Sequence, residues 1–338
     1  MKANKSNASN LSLSPPPEWA LQKALWAGWP SHGDLWLENL APARAEVAEM
    51  IKIVAENQKV NVMAMGAEAV KAAIEALPTS PHIEIFDVQF GDIWCRDTGP
   101  VFTGNGQALR FENNGWGEKY LLPYDDTIGD ELARISGANI IRHEFVLEGG
   151  SIEWDGEGTI LTTRECVLNP NRNIWTEAEA EAALKSALNA EKILWLDRGM
   201  VNDHTDGHID NLARFVAPGK VVCQTGFGDD DPNTETYNEI ADALSRMIDA
   251  KGQALEVIRI PSPGLVMNED NEPVAASHVN FLITNKAVIV PVYKTESADE
   301  AVAAIQKLFP DRKVVGLYSR AILSGGGSFH CMTQQVPA

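Results

Sequence analysis

The sequence predicts an α/β fold assembled from repeated units, on three observations. Helix-like and strand-like patterns alternate along all 338 residues, which is the signature of an α/β architecture. Five segments of one form recur along the chain. No Gly/Ser-rich or Pro-rich linker interrupts the chain after its first residues, so one domain spanning residues 16–338 is expected behind a flexible arm, residues 1–15.

Each element follows from its own residues. Apolar positions recur at helical spacing over 43–56, 176–188, 236–250 and 298–308. Short β-prone runs lie between them at 61–64, 83–86, 220–223 and 287–290. The five recurring segments begin near Asp92, Glu148, Asp206, Ser277 and Gly325. Each opens on a turn rich in glycine or polar and acidic residues and runs on into a strand. Tens of residues separate them, about one small α/β unit each, as repeat architectures show. Five such units around one axis would bring the polar segment starts into a shared central pocket. The alternative is an open doubly wound sheet, but neither GxGxxG nor GxxxxGK[ST] occurs. Gly156-Glu157-Gly158 sits in an acidic turn that repels phosphate.

Composition narrows the function. A formal charge of −19 argues against nucleic acid, whose phosphates need a basic surface, and against anionic membranes, while an acidic field draws in cationic small molecules. The stretch from Met1 to Pro17 is polar and proline-rich, without the apolar core of a secretory signal, so a cytoplasmic location is expected. Homo-oligomers are common among soluble enzymes, but no feature specifies one. Cys95, Cys166, Cys223 and Cys331 form no CxxC pair. Three read as packing residues, whereas Cys331 follows the glycine-rich run Gly325-Gly326-Gly327-Ser328-Phe329-His330.

The segment starts offer Asp97 after Trp94 and Arg96, Glu148, His208 with Asp210, Asn280 after His278, and Cys331. A thiol and a histidine supply the nucleophile and the acid–base of covalent catalysis. Several carboxylates around them suit a planar cation. A guanidinium carries five N–H donors in a fixed fork, so acids can grip its edges and leave the central carbon open to the thiolate. His208 would protonate the departing amine and then activate water. Gly326 lets backbone approach a ligand closely, and Trp94 would either stack on substrate or fill the core. A rival reading takes His204, His208 and Asp210 as metal ligands, since histidines four apart share a face on a helix. Gly207 and the alternation after His208 argue for a turn into a strand instead.

The set WCRDTGP, EGGSIEWDGEGTILTT, NPNRN, DGHIDN, SHVNF and GGGSFHCMTQQVP, in this order from about Pro16 to Pro337, resembles the agmatine deiminase family, related to bacterial peptidylarginine deiminase. The resemblance implies a five-bladed pseudo-symmetric α/β propeller and no metal or organic cofactor. It implies Cys331 as nucleophile, His208 as acid–base, Asp97 and Asp210 as guanidinium ligands and Glu148 as support for the histidine, with Asn280 a further polar residue of the site. The implied reaction is hydrolysis of agmatine to N-carbamoylputrescine and ammonia through a thiouronium on Cys331. Deimination of free or peptide-terminal arginine is the alternative, and amidine transfer or non-catalytic binding stand further off. Two positions depart from the family pattern. His204 stands where the family commonly has a glutamate that binds the distal amine, which leaves Asp203 or Asp206 to supply that charge. Glu153 stands where histidine is frequent.

Overall fold

The computed structural model describes residues 14–338. Residues 1–13, most of the expected arm, lie outside the described residues. From Ser14 onward the chain is held down: the Ser14 hydroxyl donates to Asn189 O, and Trp154 Nε1 donates to Pro16 O.

Sixteen strands among the described residues form five small sheets. In chain order they are β1 (Gln22–Gly28), β2 (Lys59–Ala64), β3 (Ile83–Asp87), β4 (Val101–Phe102), β5 (Gln107–Glu112), β6 (Asn139–Val146), β7 (Ile152–Trp154), β8 (Thr159–Thr163) and β9 (Lys192–Leu196), then β10 (Ala213–Ala217), β11 (Lys220–Thr225), β12 (Glu256–Pro261), β13 (Leu282–Ile283), β14 (Ala287–Val292), β15 (Lys313–Tyr318) and β16 (Thr333–Pro337). Every sheet repeats one topology: an inner strand pairs antiparallel with a second, which pairs parallel with a third. A parallel pair needs a crossover, and a helix supplies it each time, at Ile128–Ser136, Glu177–Leu188, Thr234–Ser245 and Ala298–Leu308. In the remaining blade the inner strand comes from the far end of the sequence: β16 pairs antiparallel with β1, which continues in parallel to β2 and β3. This is a five-bladed pseudo-symmetric α/β propeller, closed by its first and last strands. Apolar side chains of neighbouring blades share successive core clusters, such as Val222, Ile260, Phe281 and Val288 between the fourth and fifth blades.

The expected elements are present with shifted ends. The helix 176–188 starts where its sequence says: Thr176 caps Glu179 N while the Glu179 carboxylate accepts from Thr176 N, a capping box. The helix expected over 236–250 stops at Ser245. Asp249 Oδ1 accepts from the amides of Lys251 and Gln253, and Gly252 takes φ +80°, so a turn outcompetes the last helical turn.

The five recurring segments provide the inner strands and the turns before them. Hydrogen bonds join those turns in series about the axis, from the Gly149–Ser151 turn round to the Ile209–Asn211 turn. Gly150 N donates to Asp97 Oδ1 (2.9 Å), the Ser277 hydroxyl to Asn211 O (2.8 Å) and Asn280 Nδ2 to Asn211 Oδ1 (2.9 Å). His330 N donates to Asn280 Oδ1 (3.2 Å), and Arg96 N donates to Cys331 O (3.1 Å).

Candidate active site

The residues before each inner strand converge at the centre. Asp97 comes from the short helix Cys95–Thr98, Glu148 from the end of β6's extension, and His208 and Asp210 from the turn into β10. Asn280 precedes β13 and Cys331 precedes β16. All six are buried. A methyl group placed on Gly150 would lie 2.6 Å from His208 Nδ1, 2.8 Å from Asp97 Oδ1 and 3.1 Å from Asp210 Oδ2. Only a residue without a side chain lets these three groups meet.

The Cys331 thiol donates to Asp210 Oδ2 at 3.5 Å and accepts from Asn280 Nδ2 at 3.1 Å. Burial, and after it the charges of Asp210 and Asp97, hold the thiol well above its ordinary pKa, against which the Asn280 amide works. Burial pushes Asp97 up to about 6, with Asp210 and Glu148 adding to the rise and His208 opposing it. Trp116 Nε1 fixes the other Asp97 oxygen at 2.9 Å. Burial also raises Asp210, but its 2.7 Å bond to His330 Nδ1 and the charges of His330, His208 and Arg214 together more than offset this and hold the carboxyl below its usual range. Asp210 Oδ1 has no protein partner, nor does either ring nitrogen of His208. His208 Nδ1 lies 3.8 Å from Asp97 Oδ1, and Nε2 lies 4.0 Å from Glu148 Oε2. Glu148 Oε1 accepts from Arg172 Nε at 2.9 Å.

A cavity of about 230 Å³ opens onto Cys331 and Asp97, walled by Trp94, Trp116, Tyr120 and the Gly325–Gly327 backbone, with Asp92 and His204 also lining it. Trp94 is thus both buried and cavity wall. Gly326 sits in the wall at φ +103°, a conformation glycine reaches freely. His204 stands at the mouth, stacked on Tyr120 with Nδ1 3.0 Å from the Tyr120 hydroxyl, and an outer cleft of about 810 Å³ continues from there.

Asp203 and Asp206 depart from expectation, and the rival metal reading finds no support. Asp206 is turned to other partners, and one oxygen of Asp203 is as well, its other oxygen having none among the described residues. Asp203 Oδ1 accepts from Thr205 N and Oγ1, and it lines only the outer cleft. Asp206 is bound by Lys119, Asn171 and Arg172. Nor do His204, His208 and Asp210 form a metal triad. Among the described residues, the side chains close enough to share an ion are Glu148, Cys166 and His208, because the turn at Gly207 (φ +82°) carries His208 inward and leaves His204 at the mouth.

Sequence reasoning missed a buried charge network beneath the site. Glu18 Oε2 meets Arg214, His330 Nε2 at 2.8 Å and Arg96 at 3.9 Å, while Arg214 Nε also donates to Glu153 Oε2 at 2.8 Å. Glu153, the second departure from the family pattern, therefore faces Arg214 and not the cavity. An arginine inside the apolar run Ala213-Arg214-Phe215-Val216 was the available signal, since a buried guanidinium demands partners. Nor does burial set Cys331 apart, for all four cysteines are buried. Its company does.

The family model for Porphyromonas-type peptidyl-arginine deiminase matches residues 14–337. The chain is 39% identical to agmatine deiminase of Stutzerimonas stutzeri, an alignment covering 96% of this chain and 95% of that protein. Its fold superposes on a structure of agmatine deiminase of Enterococcus faecalis with TM-score 0.90 at 32% identity, covering 96% of this chain and 95% of that one. A cysteine-to-serine variant of C. jejuni agmatine deiminase with substrate bound gives TM-score 0.86 at 28% identity, covering 96% of both chains. The propeller, its converging acids and thiol, and this match over nearly the whole length place the chain in the Porphyromonas-type peptidyl-arginine deiminase family.

Proposed function

We propose that the protein hydrolyses agmatine to N-carbamoylputrescine and ammonia, with Cys331 as nucleophile. The observation that carries this reading is the convergence of His208, Asp97 and Asp210 over Gly150, with the Cys331 thiol hydrogen-bonded to Asp210. Asp97 and Asp210 accept N–H bonds from the guanidinium and hold it charged, so its central carbon stays electrophilic. The bound cation offsets the two negative charges that hold the thiol protonated, and thiolate forms when substrate arrives, its proton passing to His208. Sulfur adds to the carbon, His208 protonates one amino group, and ammonia leaves a thiouronium on Cys331. Water then adds with His208 taking its proton, and the carbon–sulfur bond breaks to give the ureido product.

The walls favour agmatine over arginine. Among the described residues that line the cavity, none is Lys or Arg, and the His204 imidazole at the mouth is the one side chain there with which a substrate carboxylate could pair. Asp92 faces the same space, its Oδ1 accepting from Trp36 Nε1 at 2.9 Å, and suits a distal ammonium. Ammonia release across a panel of guanidino compounds tests this. Agmatine should turn over, and arginine should trail it by at least about a hundredfold in kcat/KM, the scale set by leaving a charge unpaired in a dry pocket. Cys331→Ala should lose at least about 10⁴-fold, and wild-type rates in that variant would remove the thiol mechanism.

The acid limb of the pH profile belongs to Asp97. Its carboxyl is pushed up to about 6, and only the anion grips a guanidinium. Below that pH, kcat/KM for agmatine should fall on the order of tenfold per unit. A profile flat between pH 5 and pH 7 would contradict this.

A further inference from the structure

Behind His208, on the side away from Asp97, lies a thiol, Cys166, that the reaction leaves unused. Cys166 sits in the short helix Arg164–Val167, whose N-cap Thr163 accepts from Cys166 N and donates to Gly207 O at 2.7 Å. The thiol is therefore tied to the loop that carries His208. One ligand atom each from Glu148, Cys166 and His208 lies within 4.8 Å of the other two, all three residues being buried. Glu148 Oε1 is taken by Arg172, but Oε2 faces His208 Nε2, and that nitrogen has no hydrogen-bond partner although His208 is fully buried. A carboxylate oxygen, a thiol sulfur and an imidazole nitrogen together form a borderline-soft donor set. It suits Zn²⁺ and Co²⁺ better than Mg²⁺ or Ca²⁺.

We propose that Glu148, Cys166 and His208 form an inhibitory site for a borderline divalent cation, with Zn²⁺ the preferred ion. Binding expels the thiol proton, and any proton on Nε2, to solvent; no electrons are exchanged. An ion on Nε2 leaves the single ring proton on Nδ1, the nitrogen turned toward Asp97. That ring cannot accept a proton from water, and giving its own up to the leaving amine would leave a metal-bound imidazolate. Acid–base cycling stops. Asp97, Asp210 and Cys331 remain free, so substrate still binds. Inhibition should therefore lower kcat and leave KM unchanged, whereas Zn²⁺ captured by Cys331 would compete with substrate.

The inhibition rests on the deiminase reading; the metal site does not, and the test separates them. Zn²⁺ is titrated calorimetrically into full-length Cys331→Ala and into Cys331→Ala/Cys166→Ser, with Co²⁺ absorption as a second readout. Kinetics with Zn²⁺ are run on wild type and Cys166→Ser, the serine keeping the packing volume. We expect one Zn²⁺ bound by Cys331→Ala and none by the double variant. The thiolate-to-cobalt charge-transfer band should follow the same pattern. Cys166→Ser should keep its basal rate and lose Zn²⁺ sensitivity by about tenfold or more. Absence of binding to Cys331→Ala would overturn the site. Competitive inhibition equally strong in Cys166→Ser would overturn the inhibition. Should no guanidino compound turn over, calorimetry and cobalt spectra still decide whether the ion binds.

Discussion

Gly150→Ala should lower kcat/KM for agmatine by at least about 10²-fold while the chain folds normally. The added methyl group would lie 2.6 Å from His208 Nδ1, 2.8 Å from Asp97 Oδ1 and 3.1 Å from Asp210 Oδ2. These are ends of side chains, which can swing away, so the cost falls on their alignment and not on the backbone. Displacement of reacting groups by about 1 Å costs on the order of a hundredfold, and the methyl also fills space the guanidinium needs. Gly149→Ala is the contrasting control. Its methyl would meet the backbone oxygen of Arg96 at 2.2 Å, which cannot yield without moving the neighbouring segment, so that variant should lose stability. Thermal melts with steady-state rates on both variants make the comparison. A Gly150→Ala enzyme with wild-type kcat/KM would show that the three groups do not act together.

Arg214→Leu should destabilise the protein by about 3–5 kcal/mol, the usual cost of removing one partner from a buried ion cluster. The guanidinium is fully buried, donates to Glu153 Oε2, Glu18 Oε2 and Phe281 O, and lies over the Phe281 ring at 5.1 Å. Without it two buried carboxylates face each other. Burial already pushes Glu153 up to about 7 even with Arg214 present. A carboxyl whose folded pKa exceeds its unfolded one binds protons more tightly when folded, so its contribution to stability falls as pH rises through that interval. The variant should therefore be impaired more at pH 8 than at pH 5. Urea unfolding at the two values measures this, and an equal loss at both would mean that the carboxylates are not left unpaired.

The site was legible because its residues open five similar segments. Asp97, Asp210 and Cys331 each stand just before an inner strand, and such repetition survives in a linear sequence. Helix 298–308 was readable to the residue, since its apolar face alternates cleanly with acids and lysine. The network under the site was not. Glu18 and His330 are 312 positions apart and touch only after the propeller closes. For Asp203 the charge was visible and the rotamer was not: one carboxylate oxygen bends onto Thr205 and the other has no partner among the described residues.

The pairing of β16 with β1 has a consequence for how activity is lost. Gly28 N donates to Met332 O at 3.1 Å, one residue beyond Cys331, so the strand that shuts the propeller is also the tether of the thiol. This clasp joins segments some three hundred residues apart, and the chain entropy opposing such a contact is on the order of 5 kcal/mol. Local opening is favoured where so much entropy is released and so few residues let go. If the clasp parts, the four other blades keep their sheets and the acids stay in place, but Cys331 drifts from Asp210 and Asn280. The enzyme would fall silent while still looking folded to most spectroscopic probes.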